Sequence, residues 1–240
     1  MLFLGVILCL SVVPLTRLIP GCGWEGIKCD PMDYSVTSIA LPQIGISGTI
    51  PSGLAQFTDL ATIDFFGNNF IGTIPREVLA LPNLVVFNVL DSGLQGPFPV
   101  FQSKSLEFLN IAGNSFNGGL PNDIGTRYPA LITLNIANNT FVGTLPTTIT
   151  SLTNLDILNV AHNHFMGTVP DDLGKLVHLK GLFMNDNRFI GTIPRSLAHI
   201  ESKLIQIFVQ HNALSGTIPA NLAELPQLVD LFVDGELLTS

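Results

Sequence analysis

The apolar positions of this chain recur in a fixed frame. Leu106, Leu109, Ile111 and Phe116 repeat at the spacing of Leu155, Leu158, Val160 and Phe165, and Asn114 and Asn163 hold the same place in the two frames. A Gly-x-apolar-Pro tetrapeptide follows each frame. Its prolines are Pro51, Pro75, Pro99, Pro121, Pro146, Pro170, Pro194 and Pro219, which stand 24, 24, 22, 25, 24, 24 and 25 residues apart. A period of this size marks a solenoid, in which every unit packs on its neighbours alone. Leu109 and Ile111 alternate with Phe108 and Asn110, so the pattern predicts a short strand with the first pair inward and the second outward. After each proline the apolar spacing becomes three, as at Leu54, Phe57 and Leu60 or at Ile149, Leu152 and Leu155. That spacing suits 3₁₀ turns better than a full α-helix.

The predicted fold is therefore an α/β-type solenoid, a horseshoe whose strands form one parallel concave sheet and whose convex returns are 3₁₀ or irregular. Eight units are complete over residues 36–240 and a ninth is cut short, with Glu236 where the asparagine belongs. Asn68, Asn114, Asn139, Asn163, Asn187 and Asn212 stand where the chain turns inward, so their amides are expected to satisfy backbone groups that the turn leaves open. Ile44 and Ser92 occupy that place in two units, and the N-terminal half should be less regular there. The varying unit lengths should fall on the convex side, where return loops tolerate them.

Composition narrows the function. With 47% hydrophobic and 12% charged residues the chain can bury a large core, and a formal net charge of −8 opposes nucleic-acid binding. Residues 1–20 hold an apolar run, Leu2 to Val13, of the length of a secretory signal; a signal-anchor remnant is the alternative, and only then would the protein be held at a membrane. No phosphate loop, CxxC pair, HExxH or GxSxG is present, so neither catalysis nor a cofactor is expected. Cys22 and Cys29 could form a disulfide, a redox pair or half of a metal site.

The unit L-x-x-L-x-L-x-x-N-x-F-x-G-T-I-P resembles the plant-type extracellular leucine-rich repeats of receptor-like proteins and polygalacturonase-inhibiting proteins. The likeness covers about residues 22 to 240 and extends to Cys22-Gly-Trp24-Glu-Gly26-Ile27-Lys-Cys29, which is similar to the cysteine cap of such arrays. It implies that residues 21–35 are an N-terminal cap closed by a Cys22–Cys29 disulfide, with Trp24 packed there, and that the Gly-x-Ile-Pro segments form a second short sheet. It also implies a noncatalytic recognition module that binds a protein or peptide on its concave face outside the cell. The alternative is an inhibitor of a secreted wall-degrading hydrolase, or a polysaccharide binder.

Where such a ligand would sit is read from the outward columns. One column runs Asp64, Asn88, Asn110, Asn135 and Asn159, a structural row, and then changes to Phe183, Phe208 and Phe232. In a second column His162, Asp186 and His211 fall on successive strands, about 4.8 Å apart, so the carboxylate reaches both imidazoles and binding should vary between about pH 5 and 7. These six residues are the candidate ligand contacts. Asn138-Asn139-Thr140 is the one glycosylation sequon, with Asn138 projecting from the end of its strand. The threonines after the repeat glycines (Thr49, Thr73, Thr144, Thr168, Thr192 and Thr217) resemble the ladders of ice-binding solenoids, although the row is broken at Pro97 and Gly119.

Overall fold

The computed structural model describes residues 20–199, 203–233 and 238–239. The apolar leader and Glu236 lie outside them. Among the described residues, no helix is long and apolar enough to cross a membrane.

Three-residue strands at Thr62–Asp64, Val86–Asn88, Phe108–Asn110, Thr133–Asn135, Ile157–Asn159, Gly181–Phe183, Gln206–Phe208 and Asp230–Phe232 follow Val36–Ala40 in one parallel array. Each pairs with the next in unbroken register, Leu134 beside Leu158 and Leu158 beside Leu182. This alternation sends the central residue of every strand inward: Ile63, Phe87, Leu109, Leu134, Leu158, Leu182 and Ile207 are fully buried. The short strand Ile27–Cys29 adds antiparallel to Val36–Ala40 and closes the sheet at ten strands.

The convex returns match the three-residue spacing. Single 3₁₀ turns lie at Ser52–Gln56, Thr147–Ser151, Asp171–Lys175, Arg195–His199 and Ala220–Glu224, each begun by an extended segment that ends in a proline. Arg76–Leu79 and Ile124–Arg127 are single α-turns instead. The two residues missing after Pro99 are taken from this side without disturbing strand register. The buried Tyr128 of the next unit fills the gap: its hydroxyl accepts the Phe101 N–H at 2.9 Å and donates to the Pro99 carbonyl at 3.4 Å.

Between sheet and returns runs a spine of phenylalanines. Phe116, Phe141, Phe165 and Phe189 stack at 6.5, 6.1 and 6.2 Å between ring centres with planes 4–14° apart. Outside the spine lies the second sheet, six parallel strands from Gln95–Pro97 to Ala213–Leu214.

The asparagine ladder joins the two sheets. Asn163 Oδ1 accepts the buried Phe141 N–H at 3.0 Å, and its Nδ2 donates to the carbonyls of Ile136, Val160 and Ala161 at 3.0–3.2 Å. Asn68, Asn114, Asn139, Asn187 and Asn212 repeat this arrangement between their own units. At Ser92 the hydroxyl donates to the Phe65 and Leu90 carbonyls, yet it has no carbonyl to offer Phe70, whose N–H turns to the Ser92 backbone oxygen. That detour brings the Phe70 oxygen within 2.5 Å of where a Cβ on residue 93 would stand, so the position must be glycine; Gly93 takes φ +77°. The second sheet breaks at this point, and Asn69–Phe70 pairs with Ser47–Gly48 alone.

Cys22 and Cys29 are disulfide-bonded, with Cα atoms 5.5 Å apart. Ile27 and Cys29 pack against the first units of the core. Trp24 is 43% exposed, which corrects the expectation that it packs into the cap, and its carbonyl accepts the Ile27 N–H.

Candidate functional site

The outward column of the main sheet has two halves with different chemistry. In the first, each side chain folds onto its own turn: Asp64, Asn88, Asn110, Asn135 and Asn159 accept the N–H two residues ahead through Oδ1, at 3.1–3.3 Å. This is an Asx turn, a local cap that any solenoid unit can use. Phe183, Phe208 and Phe232 cannot make it. Three successive units therefore give up a hydrogen bond in exchange for a ring on the concave side.

The rings form a continuous edge-to-face row. Centres are 5.2 Å apart between Phe183 and Phe208 and 4.7 Å between Phe208 and Phe232, with planes inclined at 85° and 70°. Phe183 and Phe208 are half-buried and Phe232 is 51% exposed. Glycine at 181 positions the first ring, because a Cβ there would lie 2.6 Å from a ring carbon of Phe183. Phe183 also packs against the cluster of buried alanines Ala112, Ala137 and Ala161 of earlier repeats.

His162, Asp186 and His211 are brought together, but from turns and not from strands. Each follows its strand with φ of 52–55°, a left-handed step that ends the pleat and lifts the side chain to the rim. Asp186 bridges both imidazoles: Oδ1 is 2.8 Å from His211 Nδ1 and Oδ2 is 3.4 Å from His162 Nδ1. Asn185 donates to Oδ2 at 2.6 Å and also lies 3.4 Å from His162 Nε2. Partial burial pushes the Asp186 carboxyl up, but the Asn185 and His211 hydrogen bonds and the charges of the two imidazoles outweigh it and hold it below the ordinary value. Among the described residues no group of three or more His, Cys, Asp or Glu side chains could hold a metal ion.

Sequence reasoning missed Asn185, Gly181 and Gln210. Asn185 and Gln210 stand where Ala112, Ala137 and Ala161 stand in earlier repeats, so aligning the units on that column was the available signal. Gln210 Oε1 is buried with no hydrogen-bond partner. Asn138, in the same left-handed place as His162, is exposed with φ 51°. Three of the ladder threonines stand at or just past the ends of second-sheet strands and have a packing role: Thr144, Thr168 and Thr192 each set a methyl about 3 Å from where the next unit's glycine would carry a Cβ, at 2.8, 3.2 and 3.0 Å.

Comparison with known proteins shows what these features are similar to. The Leucine Rich Repeat model matches residues 105–126, 130–152 and 154–176. The receptor-like protein 31 of Arabidopsis thaliana is 34% identical over 87 residues, which is 35% of this chain and 10% of that protein. Among solved structures, the plant peptide hormone receptor RGFR1 in complex with RGF2 aligns with a TM-score of 0.78 at 28% identity, over 82% of this chain and 32% of the receptor. The HAESA ectodomain of Arabidopsis, solved with a peptide hormone, aligns with a TM-score of 0.81 at 27% identity, over 89% of this chain and 36% of its own. The chain thus spans about a tenth of that curated relative and about a third of those receptor ectodomains. With its stacked repeats, asparagine ladder and cysteine-closed cap, this chain carries leucine-rich repeats and is similar to the plant receptor-like proteins and receptor ectodomains built from them.

Proposed function

We propose that this chain is a noncatalytic, extracellular recognition module that binds a protein or peptide ligand on the concave side of repeats six to nine. The observation that carries the reading is the aromatic row. Phe183, Phe208 and Phe232 replace a side chain that caps its own turn and leave a contiguous apolar strip on the solvent side of the sheet. Exposed aromatic strips rimmed by polar groups are the usual anchors of protein interfaces. Asp186, Asp156 and Asp230 supply such a rim, the last two engaged with Lys180 at 2.6 Å and Gln206 at 2.9 Å. Similar chains that hold peptide hormones lend the reading support.

The histidine strip adds polar groups to the same repeats, with the Asp186 carboxylate held between the imidazoles of His162 and His211. The hydrolase-inhibitor and polysaccharide alternatives draw no specific support from the structure or from the similar proteins.

A crosslinking phenylalanine analogue at position 208, with the same group at the exposed convex residue Val177 as control, tests the proposal in extracellular extract. A protein or peptide crosslinked from 208 and not from 177 is expected. Capture of polysaccharide alone, or equal capture from both faces, would contradict it.

A further inference from the structure

The rim column that carries His162, Asp186 and His211 holds Asn138 one repeat earlier. We propose that Asn138 carries an N-linked glycan, and that this glycan marks the end of the ligand strip at repeat five. Four observations meet there. The sequon Asn138-Asn139-Thr140 is the one N-x-Ser/Thr of the chain. The Asn138 side chain is exposed and engages in no hydrogen bond, whereas Asn139 beside it is buried in the ladder. Its backbone is fixed independently of the side chain, since its N–H donates to Ala161 and its carbonyl accepts from Asn114. On the side away from His162 the column continues with Gly113, which has no side chain to crowd a sugar.

The chemistry is a transfer to Asn138 Nδ2 from a lipid-diphosphate-linked oligosaccharide. The Nδ2–C1 bond to the first N-acetylglucosamine forms, the C1–O bond to diphosphate breaks, the lipid diphosphate leaves, and one amide proton passes to a base of the transferase. The Thr140 hydroxyl is the sequon's third element. In the fold it donates to the Phe116 carbonyl at 2.9 Å, so the completed glycan displaces nothing.

A large hydrated sugar cannot be buried under a protein ligand. At one strand spacing from His162 it leaves repeats six to nine open and closes the rim before them. The modification needs only passage through the endoplasmic reticulum. The boundary role rests on the concave-face reading above, and the two parts fail separately.

The test expresses the full chain, directed to the secretory pathway of cultured insect cells, and maps it by peptide mass spectrometry. A glycopeptide at Asn138 that an N-glycosidase converts to aspartate is expected. It should be lost in Asn138→Asp and Thr140→Ala and kept in Thr140→Ser. Folded protein from the secretory lumen with Asn138 unmodified overturns the proposal. For the boundary, diethyl pyrocarbonate labelling is followed at each histidine before and after the sugar is removed under native conditions. Deglycosylation should speed labelling of His162 several-fold and leave His211 unchanged. Equal rates at His162 overturn the boundary claim while leaving the modification standing.

Discussion

Replacing Asn163 with alanine removes one rung of the ladder, and the structure gives the size of the loss. The Phe141 N–H, in a fully buried unit, loses its acceptor, which costs about 1–3 kcal/mol. Two amide protons that served the Ile136, Val160 and Ala161 carbonyls also go, at a net ~1 kcal/mol each. The sum is about 3–5 kcal/mol. The unit at Ser92 shows what a partial repair requires. A serine at 163 regains a donor, worth ~1 kcal/mol, but leaves the Phe141 N–H to find a backbone oxygen by the detour seen at Phe70. That detour needs glycine at the next position, where His164 stands. Asn163→Ser should therefore remain destabilised by about 2–4 kcal/mol, and adding His164→Gly should recover part of the loss despite the flexibility it brings. Urea unfolding followed by circular dichroism measures the parent, the three single variants and the double variant. An Asn163→Ser variant as stable as the parent, or a His164→Gly effect that is the same with and without it, would refute the ladder argument.

Four further outcomes follow from other parts of the molecule. Tyr128→Phe should cost about 1–3 kcal/mol at neutral pH, because the Phe101 N–H loses its acceptor, as thermal melts would report. Burial raises the Tyr128 hydroxyl from 10.0 to about 12, so its stabilising effect is complete below pH 10 and is lost as the pH rises through about 12; the variant should flatten that alkaline limb of the stability profile. Asp186 has the opposite sign. Its lowered carboxyl stabilises the fold above the ordinary aspartate range and loses that effect as the pH falls through its folded value, so Asp186→Asn should blunt the acid limb of the melting curve. Cys22→Ser opens a short loop and should cost about 2 kcal/mol, read as a lower urea midpoint that reduction of the parent reproduces.

The fold was almost wholly legible because the solenoid repeats one local rule. Period, inward alternation, 3₁₀ returns and the asparagine rungs all appear in the spacing of Leu155, Leu158, Val160, Asn163 and Phe165, and each unit needs only its neighbours. Trp24 was misplaced because a cap is not a repeat, and its packing is decided by the Cys22–Cys29 loop instead of by the period. At the candidate site, alternation placed the three phenylalanines correctly, since strand geometry alone controls that column. The histidine strip was found for a reason that differs from the one expected: the left-handed backbone at 162, 186 and 211 aligns those side chains, and no pleat does. Asn185 escaped notice because its partnership with Asp186 is an adjacent-residue contact that periodicity does not encode.

The central claim is that the aromatic row binds, and Phe208→Ala tests it most directly. Phe208 lies between the other two rings on the outer side of the sheet, so truncation should change the melting temperature little and weaken binding of the ligand captured at position 208 by about 1–3 kcal/mol. Affinity and melting temperature are measured on the same preparation, by calorimetric titration and a thermal melt. A large loss of affinity at unchanged stability is the predicted result; a large fall in melting temperature, with the folded fraction binding as tightly as before, would show that the row is structural and that the ligand binds elsewhere.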